Sequence, residues 1–440
     1  MMPAMLEALP AGPAGKLRST YRVLRNPFES LPDWQRRFGD PFTIPTVNGT
    51  VVMTGDPKLV KEIFAGDPAV FAPWAAQAIG PTIGQASVLA LAEPRHMKER
   101  KLLMPPFHGE RMRAYAEIMG RVAERRLDAV VGAQKFLALE LGQSISLEVI
   151  VRAVFGAQDD ARAQELSHAV LAMIDDSSPL LFFMPFLQRE FGGFGPWAKF
   201  RRRYEVLDRM LQEQIERARE HEGVDICSLL VRARYEDGSP MSDSDIRDEL
   251  RTLLFAGHET TAITIAWVLD LVHRDRDVLT RLRDELAALG TSPDPAEYAK
   301  QPYLEAVCKE AMRIYPVVTE VLRMCVAPFR LGELDIPPGI GVSAGVLLVH
   351  RREDLYPEPL AFRPQRFLDR KFAPYEYLPF GGGHRRCIGA AFASFEMAVV
   401  LGTALTHFDF ELLDTTPPKP VRRSVTMAPS GSVPLRAKRR

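Results

Sequence analysis

A glycine-rich segment that ends in a cysteine and runs into an apolar helical pattern constrains this chain more than any other stretch. Residues 379–392 read PFGGGHRRCIGAAF, and apolar residues continue through AAFASFEMAVVLGTAL. Cys387 therefore stands at the N-terminus of a predicted helix, where free backbone N–H groups and the helix dipole favour a thiolate. The N–H groups of Ile388 and Gly389 are the expected donors to its sulfur.

The residues around this cysteine suit a bound ligand. Gly383 and Gly389 lack the Cβ atoms that would keep the backbone and a flat ligand apart. Arg385 carries a guanidinium that can bind a carboxylate through two hydrogen bonds. Two interpretations follow from the residues alone: a thiolate site, or an ordinary buried cysteine after a flexible loop.

The composition describes a globular protein without a charge bias. Hydrophobic residues are 46% and charged residues 25% of the 440, and Lys plus Arg equals Asp plus Glu at 56 each. These values argue against a disordered chain and against nucleic acid as a partner recruited by global charge. The four cysteines are far apart and form no Cys-x-x-Cys pair, which disfavours a disulfide scaffold or a structural zinc site and fits a reducing compartment.

The N-terminus predicts neither secretion nor a membrane anchor. Its first twenty residues, MMPAMLEALPAGPAGKLRST, lack the apolar core of a signal peptide and the roughly 20-residue apolar stretch of an anchor. The longest apolar candidate elsewhere, AITIAWVLDLV, is short and contains Asp270. We therefore expect a cytoplasmic protein with a Pro/Gly-rich arm over residues 1–20 and a single domain over residues 21–440.

Hydrophobic periodicity predicts a mainly helical chain with a minor sheet. A hairpin is indicated around Asn48-Gly49, and helical patterns prevail from Pro57 to Pro316. Long apolar connections at 72–91 and 177–197 interrupt them, as functional loops do. Short strand signals return at 322–331 and 339–349, and the last helix is predicted over about 388–407.

The segment from Phe380 to Gly389 matches every fixed position of the pattern F-x-x-G-x-R-x-C-x-G. It resembles the haem-binding loop of the cytochrome P450 family. The resemblance implies that Cys387 is the axial thiolate of haem b iron, that Phe380 shields the sulfur and that Arg385 pairs with a propionate. It also implies the mainly α P450 fold, with a large helical part, a smaller β-rich part, and the haem between a distal helix and the cysteine loop.

An apolar helix is interrupted by the polar sequence AGHETT, residues 256–261. Glycine there costs about 1 kcal/mol relative to alanine, and threonine hydroxyls compete for backbone carbonyls, so the segment is either a polar kink or a functional site. It is similar to the distal-helix motif of the same family. That similarity implies that Ala256 and Gly257 leave room for dioxygen, that Thr260 orients water and the bound oxygen, and that Glu259 connects them to bulk protons.

Two further motifs agree in order with the family. His96 and Arg100 lie one helical turn apart, which is usually a solvated basic face; the resemblance implies that they hold the haem propionates together with Arg323 and Arg385. Glu310 and Arg313 form an ordinary i, i+3 pair on their own. The resemblance implies that this pair joins Arg366 in a buried triad with a structural role.

The segments that line the substrate pocket in the family are mostly apolar here, which implies an apolar small molecule such as a fatty acid, a terpenoid or a related natural product. Many of these side chains equally fit ordinary core packing. The predicted pocket residues are Trp74, Ile79, Val88, Leu89, Phe182, Phe183, Val317, Val318 and Met427.

The resemblance implies a monomeric monooxygenase that hydroxylates or epoxidises its substrate with O2 and electrons from a separate ferredoxin and ferredoxin reductase. A peroxide-driven peroxygenase is one alternative, although such members typically lack the Glu259-Thr260 pair. A haem-binding or sensing protein without turnover is another. A group of basic residues near the cysteine loop either attracts an acidic ferredoxin or is merely solubilising: Arg95, Lys98, Lys101, His384 and Arg386.

Overall fold

The computed structural model describes residues 9–440 except 75, 108–110, 157–159, 177–187, 190–191 and 222. Phe182 and Phe183 of the predicted pocket lie outside the described residues, and so does the side chain of Ile79.

The helices are α1 (Lys16–Arg25), α2 (Pro27–Phe38), α3 (Pro57–Ala65), α4 (Ala76–Ile83), α5 (Arg95–Leu103), α6 (Arg111–Asp128), α7 (Ala138–Phe155), α8 (Asp160–Asp176), α9 (Pro196–Glu220), α10 (Ile226–Arg232), α11 (Asp243–Arg274), α12 (Arg276–Ala287), α13 (Pro295–Tyr298), α14 (Pro302–Ile314), α15 (Val346–His350), α16 (Arg366–Asp369) and α17 (Ala390–His407). The strands are β1 (Phe42–Thr46), β2 (Gly49–Thr54), β3 (Phe71–Pro73), β4 (Phe136–Leu137), β5 (Val321–Cys325), β6 (Phe329–Leu331), β7 (Leu334–Ile336), β8 (Gly341–Ala344), β9 (Phe408–Leu412), β10 (Pro420–Arg423), β11 (Thr426–Pro429) and β12 (Pro434–Arg439).

Helix α11 runs through the helical part of the protein. The Ser242 side chain caps its first turn by accepting a hydrogen bond from the Asp245 backbone N–H at 3.1 Å. Every residue from 261 to 270 is buried, as expected for a core helix that is apolar on most sides. Glycines let α7 approach: a Cβ on Gly142 would lie 3.1 Å from the Ala262 carbonyl oxygen. This close contact sets the distance between α7 and α11.

Two helices, α11 and α17, are long and apolar enough to cross a membrane by length and composition alone. In each, 67% of the apolar window is buried inside the protein. Core helices of large proteins pass the same test, so this observation is weak evidence for a membrane span.

The main sheet joins distant parts of the chain in the order β1-β2-β8-β5-β3. The predicted hairpin is present, with Thr46 opposite Gly49 in the antiparallel β1–β2 register, and β8 pairs with β2 in parallel. The strand predicted over 339–349 is too long, because β8 ends at Ala344 and residues 346–350 form helix α15. The run VLLV is buried on all sides, and a short run of that kind carries no period that separates strand from helix.

Residues 11–25 pack against strand β1. The Thr43 backbone N–H donates to the Ala11 carbonyl at 3.1 Å, and a Cβ on Gly12 would collide with the Thr43 carbonyl. The predicted boundary between arm and domain at residue 20 therefore falls inside α1.

The fully buried Glu310 carboxylate binds two arginines. Glu310 and Arg313 on α14 are fully buried, and their side chains meet at 2.7 and 2.8 Å through two parallel hydrogen bonds. Arg366 on α16 donates from Nε to Glu310 Oε1 at 2.9 Å. Since a buried charge is tolerated only when it is paired and hydrogen-bonded, this arrangement fixes α16 against α14.

A short chain of hydrogen bonds connects this triad to the cysteine loop. Arg313 donates to the His350 carbonyl at 2.8 Å, and burial lowers the pKa of His350 to about 3, so its ring is neutral. The neutral ring accepts from the Leu378 backbone N–H at Nε2, at 2.8 Å. Leu378 stands two residues before Phe380, where the loop begins.

We expect Glu310→Gln to lower the free energy of unfolding by about 3–5 kcal/mol, because the amide leaves two buried guanidinium groups without a counter-charge. Urea denaturation of the haem-loaded protein, followed by far-ultraviolet circular dichroism, measures the effect. Glu305→Gln is the matched control on the same helix: Glu305 is exposed and pairs with Lys309, so its loss should cost less than about 1 kcal/mol. Equal losses for the two variants would show that the triad is not structural.

Candidate cofactor and active site

The cysteine loop is folded against helix α3 and its own backbone. The Cys387 N–H donates to the Phe380 carbonyl at 3.0 Å. Gly383 has a φ of 68°, and a Cβ there would lie 2.4 Å from the Phe64 carbonyl oxygen, so only glycine fits. A Cβ on Gly389 would meet nothing within 4 Å. Gly383 thus shapes the loop against α3, whereas Gly389 borders open space beside the cysteine.

The Cys387 sulfur is accessible and yet surrounded by protein. It is exposed by surface area, unlike the buried Cys227, Cys308 and Cys325. Burial nevertheless raises the pKa of its thiol. The Gly389 N–H and the charges of Arg386 and Arg100 lower this pKa, but their effect is smaller than that of burial. The two observations agree if the sulfur faces an enclosed recess rather than bulk water. A thiol in such a place is deprotonated when a metal ion binds it.

Five basic side chains and the carboxylate of Glu93 lie beside this loop. His96 from α5 lies 2.7 Å from Glu93, and its ring centroid is 5.8 Å from that of His384. Arg323 from β5 is fully buried, with Nη1 3.5 Å from His384 Nε2. The other two members are Arg100 and Arg385.

The positive charges of this cluster exceed its negative charge in the part of the chain that the structure describes. Burial and the repulsion of Arg385 lower the pKa of Arg323 to about 10. Burial, with Arg323 and Arg385, lowers that of His384 to about 4. Burial and Arg385 also lower the pKa of His96, although Glu93 raises it. Among the residues that the structure describes, this cluster thus contains three guanidinium groups and one carboxylate, and only Arg385 of the three interacts with that carboxylate.

Buried donors in the cluster also lack partners within the described part of the chain. The Nε atoms of Arg323 and Arg385 and Nδ1 of His384 make no hydrogen bond there. Arg385 is anchored by its Nη2, which donates to the Leu91 carbonyl. A ligand with two carboxylates would satisfy both the charge and the donors. The residues present therefore fit the propionates of haem.

Ala256 and Thr260 occupy one face of α11. Ala256 is exposed although its helix is largely buried, and Thr260 lies one turn further along. The Thr260 hydroxyl donates to the Ala256 carbonyl at 2.9 Å, which leaves its oxygen lone pairs available to a donor such as water. The small side chain of Ala256 and the hydrogen-bond acceptor of Thr260 thus lie next to each other on α11.

Gly257 packs against α7, and its role of leaving room for dioxygen stays a prediction. A Cβ on Gly257 would lie 3.2 Å from Ile150 Cγ1 on α7. Its missing side chain therefore permits the close packing of α7 and α11.

Glu259 is held by a hairpin that is distant in sequence. Arg423 on β10 places Nε 3.3 Å from Glu259 Oε1, and the Thr426 hydroxyl lies 3.4 Å from Oε2. The same hydroxyl donates to the Arg423 carbonyl at 2.7 Å. Arg423 is exposed, so Glu259 is connected to the surface. Sequence patterns missed both partners, because 164 and 167 residues separate them from Glu259.

The structure gathers the predicted pocket residues only in part. The Met427 backbone N–H donates to the Val317 carbonyl at 2.9 Å, so these two segments meet. The Met427 side chain, however, packs in a core cluster with Phe28 and Leu347. Trp74 packs against the main sheet, where its ring lies 3.0 Å from the Cβ position of Gly49. Val88 is buried, whereas Leu89 and Val318 are exposed.

His384 belongs to the buried cluster and not to the basic surface that the sequence predicts. Its side chain is only 9% exposed and lies between Glu93 and Arg323. Neither Glu93 nor this role of His384 follows from the sequence pattern. A basic residue beside a glycine-rich turn is expected at the surface, but here the turn folds towards the interior and buries the side chain.

The comparisons with known proteins agree with this geometry. The family model described as "Cytochrome P450" matches residues 15–435. "Putative cytochrome P450 138" of Mycobacterium tuberculosis is 35% identical over 404 residues, which cover 90% of this chain and 88% of that protein. "Putative cytochrome P450 135B1" of the same organism is 33% identical over 440 residues, which cover 98% and 91%. The solved structure of retinoic acid-bound cyanobacterial CYP120A1 has a TM-score of 0.86 at 22% identity, covering 98% of this chain and 100% of that one, and shows the same fold.

Arg323→Gln tests whether the surplus charge holds a dianionic ligand. We expect haem to pass from the variant to apomyoglobin about ten- to a hundredfold faster, because a charge-assisted hydrogen bond to a propionate is lost. Stopped-flow absorbance at the Soret band follows the transfer. Arg330→Gln is the control: Arg330 is exposed and pairs with Asp335. If the Arg323 variant releases haem as slowly as this control, the cluster does not hold the propionates.

Proposed function

The chain belongs to the cytochrome P450 family, and on that premise we propose that it hydroxylates or epoxidises an apolar small molecule, with electrons from a separate ferredoxin and ferredoxin reductase. As a member of the family it is a monooxygenase that binds haem b. The single observation that carries the assignment of residues is the accessible but enclosed sulfur of Cys387 beside a surplus of buried cations.

The residues around the sulfur divide the binding of haem between them. Thiolate-ligated haem iron supplies the activation of dioxygen. Cys387 would bind the iron, and the Gly389 N–H stabilises the negative charge on its sulfur. Arg100, Arg323 and Arg385, with His96, would bind the propionates. Ala256 and Gly257 would leave room for dioxygen.

Thr260 and Glu259 would move protons to the reacting centre. The Thr260 hydroxyl oxygen can accept a hydrogen bond from water, because its own proton is engaged by the Ala256 carbonyl. Glu259 would carry protons inwards from the surface, where the exposed Arg423 meets its carboxylate. Their presence favours the use of O2 over a purely peroxide-driven reaction. A sensing protein would have no need of this relay.

Apolar side chains support an apolar substrate, such as a fatty acid, a terpenoid or a related natural product. Val88 borders the cation cluster through its carbonyl, which lies 3.5 Å from Arg385 Nη1, and Val317 is half-buried. Both positions suit a pocket lined mainly by hydrocarbon. The structural neighbour carries retinoic acid, which is a molecule of the same general kind.

The proposed ferredoxin surface is smaller than the sequence suggests. Lys98 and Arg386 are exposed, and Arg386 is adjacent to Cys387. Arg95 already pairs with Asp245 at 2.9 Å and Lys101 with Glu236 at 2.7 Å. An acidic ferredoxin would therefore be attracted chiefly to Lys98 and Arg386. The monomeric state and the cytoplasmic location stay predictions.

Cys387→Ser is expected to abolish the red-shifted Soret band that thiolate-ligated haem gives when the reduced protein binds carbon monoxide. A serine oxygen is a harder and weaker donor to iron than a thiolate. Difference spectra of the reduced protein with carbon monoxide make the measurement, and Cys308→Ser, which changes a buried thiol on α14, is the control. Retention of the band in the Cys387 variant would contradict the ligand assignment.

Thr260→Ala should keep haem but release reducing equivalents as hydrogen peroxide, so the ratio of product to NAD(P)H consumed falls by about ten- to a hundredfold, as expected for the loss of a proton-relay group. Peroxide, product and NAD(P)H are measured with a surrogate ferredoxin pair and a substrate found by spectral screening. Thr264→Ala is the control one turn further along, where the hydroxyl donates to the Thr260 carbonyl at 3.2 Å. Unchanged coupling in Thr260→Ala would exclude the relay.

A further inference from the structure

A short acidic turn lies against helix α5. Residues 235–239 read YEDGS and lie between α10 and α11. Their backbone closes tightly, because the Tyr235 N–H donates to the Ser239 carbonyl and the Gly238 N–H donates to the Tyr235 carbonyl, both at 2.9 Å. Asp237 Oδ1 accepts from the Ser239 N–H at 2.9 Å. We call residues 235–239 the acidic turn.

Tyr235 anchors the acidic turn on α5. Its hydroxyl lies 2.9 Å from both carboxylate oxygens of Glu99, a residue of α5 that is only 2% exposed. This contact holds the turn from its buried side. The turn is thus tied to α5 independently of any ion pair at the surface.

The two acidic side chains of the turn lie among the exposed cations of α5. Lys101 Nζ lies 2.7 Å from Glu236 Oε1, and both side chains are exposed. Lys101 and, to a smaller extent, Lys98 lower the pKa of Glu236. The Ser239 hydroxyl and N–H lower the pKa of Asp237, and the charge of Lys98 lowers it further. Both carboxylates are therefore ionised at neutral pH and interact with Lys98.

These cations belong to the surface proposed for the ferredoxin. Lys98 and Lys101 lie on either side of Arg100 in the sequence, and Arg100 Nη2 donates to the Arg386 carbonyl at 2.7 Å. Arg386 is exposed and adjacent to Cys387. The acidic turn thus places two negative charges beside the exposed lysines of the helix that contacts the cysteine loop.

The ion pair between Glu236 and Lys101 can open easily. Exposed ion pairs are weak, because water solvates both partners and salt screens their attraction. A protein that offers Lys101 a carboxylate would displace Glu236. The fold of the turn would survive this exchange, since its own backbone and Tyr235 hold it together.

We propose that the acidic turn is a built-in competitor of the ferredoxin. In the free protein Glu236 occupies Lys101 and, with Asp237, weakens the positive potential in front of Lys98. The inference rests on the proposed function, which supplies an acidic iron–sulfur protein as the partner. Like charges repel, so the turn slows the approach of acidic proteins in general. Only a partner whose carboxylates reach both lysines at close range replaces the contacts of the turn, which makes the surface more selective.

Biolayer interferometry with the full-length haem-loaded protein and an acidic two-iron ferredoxin of the plant type measures association without substrate or turnover. We expect Glu236→Gln/Asp237→Asn to associate about three- to tenfold faster than the wild-type protein at about 20 mM salt, because two repulsive charges are removed. The difference should disappear at about 0.5 M salt, where the Debye length falls to about 4 Å. Asparagine at position 237 keeps an oxygen that can accept from the Ser239 N–H, so the turn stays closed.

Asp409→Asn/Glu411→Gln is the matched control. It removes one aspartate and one glutamate charge from strand β9, where both side chains are exposed and pair with arginines. The control should associate within about twofold of the wild-type rate, because its charges do not face the lysines of α5. Carbon monoxide spectra confirm that each variant is folded and holds haem.

Lys101→Gln distinguishes competition from a general effect of charge. In the wild-type protein the ferredoxin must displace Glu236 before it gains Lys101, so we expect the variant to raise the dissociation constant only about two- to threefold. In the Glu236→Gln/Asp237→Asn background Lys101 is free, and its loss should raise the dissociation constant about tenfold.

Three outcomes would overturn the inference. If the neutral turn associates at the rate of the control while Lys98→Gln slows association, the ferredoxin surface stands and the competitor does not. If the neutral turn slows association, the turn is a contact of the partner. If neither the wild-type protein nor any variant binds, the proposed ferredoxin surface fails, and the inference fails with it.

Discussion

The excess of positive charge beside the cysteine loop determines which kind of ligand this protein must bind. Three guanidinium groups lie in a cluster with a single carboxylate, and burial together with the repulsion of Arg385 lowers the pKa of Arg323 to about 10. Buried cations without counter-ions are costly, so a sequence retains them only where an anion compensates. Burial raises the pKa of the Cys387 thiol, so its sulfur becomes a thiolate when a metal ion binds it. Haem is a metal complex with two carboxylates. Its iron would bind the sulfur, and its carboxylates would compensate the charges of the arginines.

The rest of the fold holds the cysteine loop and the neighbouring arginine cluster in place. The carboxylate of Glu310 fixes α14 against α16. The neutral ring of His350 then accepts a hydrogen bond from the Leu378 N–H, which connects these helices to the cysteine loop. Glycines on α7 and α11 let these two helices pack closely. Ala256 and Thr260 lie one turn apart on α11, where Ala256 is exposed. The hairpin of β10 and β11 then reaches both Glu259 and helix α1. One small element therefore contacts both the proposed proton relay and the N-terminal helix.

Features set by neighbouring residues could be predicted from the sequence. The hairpin at Asn48-Gly49 and the meeting of Glu310 with Arg313 follow from spacing within one turn, and the loop around Cys387 follows from a dense local pattern. Its inward orientation does not: His384 reads as a surface residue and is nearly buried. Partners from distant segments were also missed, as Arg423 and Thr426 at Glu259 show. Gly257 illustrates a further limit, because a glycine required for packing against Ile150 has the same sequence signature as one that clears space for a ligand.

The central claim is that the Cys387 sulfur binds the haem iron while the arginines beside it neutralise the propionates. X-ray absorption at the iron edge of the ferric protein measures the ligands directly, without substrate, reductant or redox partner. The account predicts one sulfur atom among the nearest neighbours of the iron in the wild-type protein and its loss in Cys387→Ser. A wild-type spectrum that requires only nitrogen or oxygen neighbours would contradict it.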